Sequence, residues 1–197
     1  MKRIFDVIAS GLGLIVLSPL FLILAVWIKL DSKGPVFYRQ VRVGLHNKDF
    51  RIFKFRSMRV GADKGSLVTI GGRDPRITRS GYFIRKFKFD ELPQLINVFV
   101  GDMSLVGPRP EVRHYVDYWT DEQMHVLDVR PGITDPASIK FRNENELMEQ
   151  AEDPEKYYIE VIMQEKLKLY LEYVQNQSFL GDIGLIFKTF WVIVKER

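Results

Sequence analysis

Two adjacent acids, Asp90 and Glu91, stand between a basic segment and a Gly-Pro-Arg-Pro loop. Leu92-Pro93 follows them, and because proline is tolerated in the first turn of a helix, the pair predicts a helix start. Asp90 would then lie near the positive end of the helix dipole, which keeps a carboxylate ionised and favours a nearby phosphate. A carboxylate in that position can act as a nucleophile or as a Mg²⁺ ligand. The alternative is that Asp90 only caps the helix.

Cations surround this pair in the sequence. The segment 73–88 contains a single acid, Asp74, and six basic residues, Arg73, Arg76, Arg79, Arg85, Lys86 and Lys88. Such a run is either a solvated face or a surface for anionic lipid headgroups. If the chain turns at 86–91, Arg85 folds back toward the acids, where its planar guanidinium suits a phosphate.

Three further segments carry candidate phosphate ligands. Two prolines fix the backbone around Arg109 and reduce the entropy that this residue loses when it binds an anion. Lys54 and Arg56 are two residues apart on a predicted strand, so they share one face. Arg130 is held before a Pro-Gly turn.

Phosphoryl transfer unites these parts, because it needs a nucleophile, a divalent cation and several cations around the phosphates. The chain has no cysteine, which excludes thiolate chemistry, and its three histidines are not at zinc-ligand spacing. No Walker-type glycine-rich loop is present, which argues against an ATPase. Aromatic residues interleaved with basic ones also suit single-stranded nucleic acid, but an apolar N-terminal segment makes that interpretation unattractive.

That segment, residues 7–28, contains no charged residue and is long enough to span a bilayer as one helix. Ser18-Pro19 lies at its centre, where proline removes a helical hydrogen bond and the serine hydroxyl can satisfy part of the freed backbone. Basic residues flank both ends, which would place both ends in the cytoplasm. These features leave two alternatives, a re-entrant membrane hairpin and an ordinary kinked transmembrane helix.

The remaining chain predicts a small β-hairpin followed mainly by helices. Residues 36–43 and 50–56 are expected to pair across a loop at 44–48, and residues 59–80 and 101–110 to form loops. Helices are predicted at 82–87, 92–100, 112–129, 154–176 and from Ser178 to Lys195. The last helix has a thin polar face, so it either lies in the membrane interface or docks on the core. The predicted fold class is α+β and mostly helical.

The chain resembles the bacterial sugar transferases, in particular the small monotopic phosphoglycosyl transferases. The matching motifs run in family order along nearly the whole chain: Ser18-Pro19, Lys54-Phe-Arg-Ser-Met58, Arg73-Asp-Pro-Arg-Ile-Thr78, Asp90-Glu-Leu-Pro-Gln-Leu95, Gly101-Asp-Met-Ser-Leu-Val-Gly-Pro-Arg-Pro110 and Arg130-Pro-Gly-Ile-Thr134. One departure follows the last motif, where many relatives continue with Gly-Trp-Ala-Gln and this chain has Asp135-Pro-Ala-Ser138. The departure leaves the identity of the donor sugar open.

The resemblance implies a ping-pong reaction at the bacterial cytoplasmic membrane. Asp90 would attack the sugar-linked phosphate of a UDP-sugar, release UMP and pass the phosphosugar to polyprenol phosphate, with undecaprenyl phosphate expected. Mg²⁺ would bind at Asp90, and Glu91 would assist. Candidate phosphate or nucleotide ligands, carried over from the family motifs, are Lys54, Arg56, Arg85, Arg109 and Arg130.

The resemblance also favours the hairpin over the simple span, with Ser18 and Pro19 as its break. It implies an anchor at 1–30, a cytoplasmic catalytic domain at 31–197 with interfacial amphipathic helices, and membrane lipids as partners. Nucleic acid is not expected, and a homo-oligomer is compatible with the sequence. Two rival functions remain: a membrane-anchored scaffold that binds anionic lipid, and a metal-dependent nucleotide-sugar hydrolase.

Overall fold

The computed structural model describes residues 1–62, 74–141 and 144–195, apart from the side chains at 145, 146, 193 and 194. The described part of the predicted loop 59–80 contains a turn, an isolated bridge between Met58 and Ile77, and the start of a helix at Arg79. The rest of that loop, including Arg73, lies outside the described residues.

The described ranges are mostly helical and contain three small pairs of strands, as the predicted fold class requires. The helices are α1 (Lys2–Asp31), α2 (Arg79–Lys86), α3 (Gln94–Val100), α4 (Arg113–Val116), α5 (Asp121–Met124), α6 (Pro136–Lys140), α7 (Glu144–Glu149), α8 (Pro154–Tyr157), α9 (Met163–Gln175) and α10 (Phe179–Lys195). The strands are β1 (Phe37–Tyr38), β2 (Val41–Val43), β3 (Asp49–Arg51), β4 (Lys54–Phe55), β5 (Ser104–Val106) and β6 (Gly132–Thr134).

The apolar N-terminal segment forms one helix, α1, with Pro19 inside it. A proline at position 19 cannot donate to the carbonyl of Ile15, and the Ser18 hydroxyl donates to that carbonyl instead, at 2.7 Å. The predicted compensation by serine is therefore confirmed. By length and composition α1 is the single described helix that could cross a membrane, with a mean hydropathy of 2.5.

The predicted hairpin is present but interrupted. β2 pairs antiparallel with β3, and β1 pairs antiparallel with β4, so that Phe37 lies opposite Phe55. The predicted loop at 44–48 is a single 3₁₀ turn, Leu45–Asn47. The hairpin packs on the end of α1, where Leu24, Ile28, Phe55 and Ile84 form a buried cluster.

Two predictions for the region after the acid pair are wrong. Residues 112–129 do not form one helix, because Thr120 makes a capping box with Gln123 and starts the new helix α5. Residues 101–110 are not only a loop, because β5 lies there and pairs parallel with β6. Gly107 and Gly132 allow this approach, since a Cβ added to Gly132 would stand 2.1 Å from the Gly107 nitrogen.

The C-terminal helices agree with the predictions. α8, a π-helical turn Tyr158–Ile162 and α9 form one continuous helical stretch, whose buried side chains belong to the largest core cluster. Ser178 accepts a hydrogen bond from the Gly181 amide at 3.1 Å and so caps α10. α10 lies beside the first turns of α1, where the rings of Phe5 and Phe179 meet edge to face.

Candidate active site

Asp90 and Glu91 lie in a 3₁₀ turn, Phe89–Glu91, and not in the first turn of α3 as predicted. Lys88 lies between α2 and the turn in the left-handed conformation, at φ 57°. Arg85 of α2 and the acid pair line the same cavity. α3 begins only at Gln94, after Pro93.

Glu91 is held by two cations from different parts of the fold. Its Oε1 accepts a hydrogen bond from Lys54 Nζ on β4 at 2.9 Å and another from Arg109 Nη2. Its Oε2 accepts from Arg109 Nη1 at 3.4 Å. The structure thus brings together four residues predicted from the sequence: Lys54, Asp90, Glu91 and Arg109.

Asp90 differs from its neighbour in having an uncommitted oxygen. Its Oδ1 is buried and has no hydrogen-bond partner among the described residues. A buried carboxylate oxygen without a partner is costly, so its presence calls for an explanation in function. A substrate or a metal ion would supply the missing partner.

The surroundings shift the pKa values of the two acids in opposite directions. Burial and the adjacent charge of Glu91 raise the pKa of Asp90, against the opposing effect of Lys54 and Arg85. Burial would also raise the pKa of Glu91, but Arg109 and Lys54 outweigh it and hold that pKa well below its usual range. Asp90 does not lie in the first turn of α3, and burial, not a helix dipole, is the main cause of the direction in which its pKa shifts.

The acid pair opens on a cavity of about 990 Å³ that reaches from α2 to α9. Lys54, Arg85 and Arg109 line it together with Asp90 and Glu91. Arg85 lies close enough to lower the pKa of Asp90, in agreement with the prediction that Arg85 turns toward the acids. The cavity therefore offers one uncommitted carboxylate oxygen surrounded by cations, which is suited to a phosphorylated ligand.

Two other predicted phosphate ligands have different partners. Arg56 is buried, and its guanidinium donates to the carbonyls of Ser32 at 2.8 Å, of Ile28 at 3.4 Å and of Lys33, so it caps the end of α1. Arg130 donates from Nε to the Gly101 carbonyl at 2.9 Å and is not among the residues that line the cavity. Ser18 and Pro19 lie far along α1 from either end, and both are exposed.

Several cavity residues were missed by the sequence analysis. Arg42 on β2 hydrogen-bonds the Pro110 carbonyl at 2.9 Å and lies 3.6 Å from Glu111, in an ion pair beneath the Arg109 loop. Apolar and charged residues alternate along β2, as they do along the predicted strand that contains Lys54, so the same pattern could have indicated Arg42. The others could not be found from local pattern, because they come together from distant helices: Tyr115, Glu144, Tyr158, Lys166 and Tyr170.

The acid pair offers a magnesium ion one candidate protein ligand, Asp90. Within the described ranges, no three acidic or histidine side chains converge on one point. Mg²⁺ commonly takes one or two protein carboxylates and completes its shell with water and substrate phosphates. Asp90 fits that role through its unpartnered Oδ1, whereas both oxygens of Glu91 already accept hydrogen bonds.

Comparison with known proteins gives a consistent result. The bacterial sugar transferase family matches residues 1–196. The chain is 40% identical over 197 residues to a UDP-N-acetylgalactosamine-undecaprenyl-phosphate N-acetylgalactosaminephosphotransferase of Aeromonas hydrophila. The matched region covers 98% of this chain and 44% of that protein. The chain is 38% identical over 192 residues to a UDP-glucose:undecaprenyl-phosphate glucose-1-phosphate transferase of Klebsiella pneumoniae, covering 95% of this chain and 39% of that protein.

A shorter relative is matched over most of its length. An uncharacterized sugar transferase of Bacillus subtilis (strain 168) is 38% identical over 187 residues, covering 94% of this chain and 83% of that protein. The chain spans less than half of the two longer relatives, so their named activities belong to larger proteins.

Proposed function

The chain belongs to the bacterial sugar transferase family, and from this premise we propose that it transfers a phosphosugar from a UDP-sugar to polyprenol phosphate. Its relatives are named for UDP-sugar donors and an undecaprenyl phosphate acceptor, which makes undecaprenyl phosphate the expected acceptor here. The observation that carries the proposal is the uncommitted Oδ1 of Asp90, in a cavity with Lys54, Arg85 and Arg109.

The reaction proceeds in two displacements at one phosphorus atom. A carboxylate oxygen of Asp90 attacks the phosphorus that bears the sugar, and the bond to the bridging oxygen breaks, so that UMP leaves with the electron pair. An oxygen of polyprenol phosphate then attacks the same phosphorus. The bond to Asp90 breaks, the carboxylate is regenerated, and the product is a polyprenol diphosphosugar.

The chain's own residues supply orientation and charge. Glu91 stays ionised and holds Lys54 and Arg109 in place, so the two cations need no reorganisation when phosphate arrives. Arg85 approaches from α2 and stabilises the ionised form of Asp90. A magnesium ion held by Asp90 would neutralise part of the charge on the diphosphate.

A lipid acceptor requires a site at the membrane surface, and both ends of α1 support this location. At its beginning, Lys2 donates to the Val106 carbonyl at 2.9 Å. At its end, Asp31 accepts from the Ser80 amide at 2.9 Å. Thirty residues of helix would extend about 45 Å, yet both ends contact the same folded unit.

The middle of α1 projects apolar side chains outward. Ile15 and Val16 are 71% and 74% exposed, and Leu22 and Ile23 are 67% and 63% exposed. A helix attached at both ends with an apolar middle fits a re-entrant anchor better than a span that carries one end across the bilayer. We therefore place the protein at the cytoplasmic membrane with its active site on the cytoplasmic face.

UMP release from a panel of UDP-sugars, with and without undecaprenyl phosphate, tests the proposal. We expect one donor to release UMP in multiple turnovers only when the lipid is present. Intact-mass analysis with that donor alone should show a phosphosugar adduct, which Asp90→Asn should lack. UMP release that continues without the lipid would indicate a hydrolase, and lipid binding without any UMP release would indicate a scaffold.

A further inference from the structure

One part of the cavity has chemistry unlike that around Asp90. We call it the tyrosine wall and define it as Tyr115 on α4, Glu111, Tyr158 in the π-helical turn, Glu144 on α7 and Lys166 on α9; all five line the cavity. Arg42 lies between the wall and the acid pair, since it pairs with Glu111 and also lowers the pKa of Lys54. The wall is therefore continuous with the proposed phosphate site.

Each ionised group of the wall already has a partner, either within the wall or at Arg42. Lys166 donates to Glu144, and its Nζ lies 5.4 Å from the centre of the Tyr158 ring. Glu111 accepts from the Tyr158 hydroxyl and pairs with Arg42. The wall contains two carboxylates, Glu111 and Glu144, against one lysine, Lys166, so it suits a neutral part of a ligand better than a phosphate.

The Tyr115 hydroxyl is the exception to this pairing. Tyr115 is 5% exposed, and its hydroxyl is buried without a hydrogen-bond partner among the described residues. Burial, together with Glu155 and Glu111, raises the pKa of Tyr115 to about 12, so the hydroxyl keeps its proton at neutral pH. Leaving such a group unpaired is unfavourable, and a ligand in the cavity would relieve the cost.

The neutral groups of a UDP-sugar are its sugar ring and its nucleoside. A sugar ring presents hydroxyl or amide substituents at its edge and C–H groups on its faces. The wall offers a phenol that can donate and accept, paired carboxylates that can accept, and two tyrosine rings whose centres are 4.8 Å apart. Uracil presents an alternating donor and acceptor edge that carboxamides or backbone amides match better, and the wall contains no carboxamide.

We propose that the Tyr115 hydroxyl hydrogen-bonds a ring substituent of the donor sugar, so that the tyrosine wall selects which sugar is accepted. This inference rests on the proposed function. A buried hydroxyl that gains its partner only from one sugar discriminates against sugars that leave it unpaired. Tyr115 is thus a specificity-determining residue, separate from the groups that act on the phosphate.

The test compares Tyr115→Phe with Tyr118→Phe, a matched control because Tyr118 is 52% exposed and does not line the cavity. Values of kcat/KM are measured for UDP-glucose, UDP-galactose and their two N-acetylamino counterparts. The inhibition constant of UMP as a competitive inhibitor is measured separately for each variant. For Tyr115→Phe we expect roughly a tenfold loss with the preferred donor and less than a twofold loss with the poorest one. UMP inhibition and thermal stability should stay unchanged, because the hydroxyl has no partner within the described fold.

Other results would overturn the inference. An equal loss with all four donors and weaker UMP inhibition would assign Tyr115 to the nucleoside, and an unchanged donor profile would remove it from the site. If the wild type releases no UMP, the proposed function fails, and saturation-transfer NMR then tests the wall alone. Transfer to sugar-ring protons that Tyr115→Phe weakens would support the inference, whereas unchanged transfer or no UDP-sugar binding would end it.

Discussion

Asp90 and Glu91 show how neighbours in sequence acquire different tasks from different surroundings. Glu91 is surrounded by Lys54 and Arg109, and its pKa is held well below the usual range. Asp90 keeps a buried oxygen free of partners, and its pKa is raised by burial. Titratable pairs whose pKa values are pushed apart are typical of sites in which one group reacts and the other organises. The structure thus favours Asp90 as the reacting group.

The raised pKa of Asp90 leads to a pH-dependent prediction. A carboxylate attacks only when ionised, so activity should fall as pH drops through the raised pKa of Asp90. Arg85 lowers that pKa, so its removal in Arg85→Gln should raise the pKa and move the acid limb of the kcat/KM profile to higher pH. Arg79→Gln is the control, because Arg79 is exposed and does not line the cavity. Equal acid limbs in wild type and Arg85→Gln would contradict the proximity of Arg85 and Asp90.

Arg109 contacts both oxygens of Glu91 through two guanidinium nitrogens. Lysine would keep the charge but lose this fork, so Arg109→Lys should lower kcat/KM by roughly ten- to a hundredfold, or about 1.4–2.7 kcal/mol. Arg113→Lys is the matched control, because Arg113 pairs with Asp49 at the surface. Steady-state kinetics with both variants decide the matter. Wild-type rates in Arg109→Lys would show that the loop is only a turn.

Arg56 links two elements. Its guanidinium donates to the carbonyls of Ile28, Ser32 and Lys33, where α1 ends and the chain turns into the hairpin. Helix ends leave carbonyls without intrahelical partners, and a buried cation satisfies them. The sequence predicts that Arg56 shares a strand face with Lys54, and both residues line the cavity, but the two terminal nitrogens of the Arg56 guanidinium are held by the end of α1. Its structural role is therefore to join α1 to the domain.

Arg56→Met should consequently affect stability directly. The variant keeps the aliphatic stem but removes the donor to the Ser32 and Lys33 carbonyls, which costs about 1–3 kcal/mol, whereas the Ile28 carbonyl keeps the Ser32 amide as a donor. For a chain of this size the apparent Tm should fall by roughly 2–10 °C. Arg51→Met is the control, because Arg51 is exposed and makes one 3.4 Å contact with the Arg39 carbonyl. Thermal unfolding of the two variants in the same detergent gives the comparison. Equal Tm values would show that Arg56 does not stabilise the junction between α1 and the domain.

Local pattern was sufficient for elements that carry their own start signal. Ser178 capped α10 as predicted, and the alternation at 50–56 located the hairpin. The parallel pairing of β5 with β6 was missed because it depends on a contact between residues about 28 positions apart, at Ser104 and Gly132. The division of 112–129 was missed because the Thr120–Gln123 capping box was not weighed against the helical period.

The same difference between local patterns and long-range contacts applies to the site. The residues around the phosphate position come from short motifs, so Lys54, Arg85, Asp90 and Arg109 could be named from the sequence. The tyrosine wall could not, because its members come from the segment around α4, from α7, and from the π-helical turn and α9, and they become neighbours only when these segments pack. Arg56 and Arg130 also come from short motifs, and their hydrogen bonds to backbone carbonyls, which the sequence could not indicate, show that they support the fold; their contact with phosphate stays a prediction.

Considered as a whole, the molecule exposes apolar side chains on two helices, α1 and α10, that contact each other. α10 exposes Leu180, Phe187, Phe190 and Trp191, and its first turn contacts the beginning of α1 through Phe5 and Phe179. Trp191 is 67% exposed, whereas Trp119 packs against the core. This continuity with α1 supports the interfacial alternative for the last helix.

Lipid contact by α10 can be measured with brominated lipids, which quench nearby tryptophan. In bromolipid nanodiscs, wild-type fluorescence should be quenched more than that of Trp191→Phe, because the variant removes one lipid-facing emitter. Trp119→Phe is the control and should show a quenched fraction at least as large as that of the wild type. Equal quenching in Trp191→Phe and wild type would place α10 away from lipid.

The topology of α1 decides how the whole molecule sits on the bilayer. Lys2 pairs with Asp182 of α10, and Asp31 accepts from Ser80 of α2, so both ends of the helix are attached to the folded unit. A span would have to break the attachment at one end and carry Lys2 and Arg3 across the membrane. Because charged groups cross hydrocarbon at a cost of several kcal/mol, we expect both ends to remain on the cytoplasmic side.

Single cysteines test this in a chain that has none of its own. One is placed at Met1 behind a new start codon and one at Lys33, both of which are exposed. Both should be shielded from an impermeant thiol reagent in intact cells and react after lysis. Replacing Ser18-Pro19 with Ala-Ala restores a continuous hydrogen-bond ladder at Ile15 and should increase labelling of position 1 from outside. Outside labelling of position 1 in the variant that keeps Ser18-Pro19 would instead establish a true span, with the contacts of Lys2 broken in the membrane.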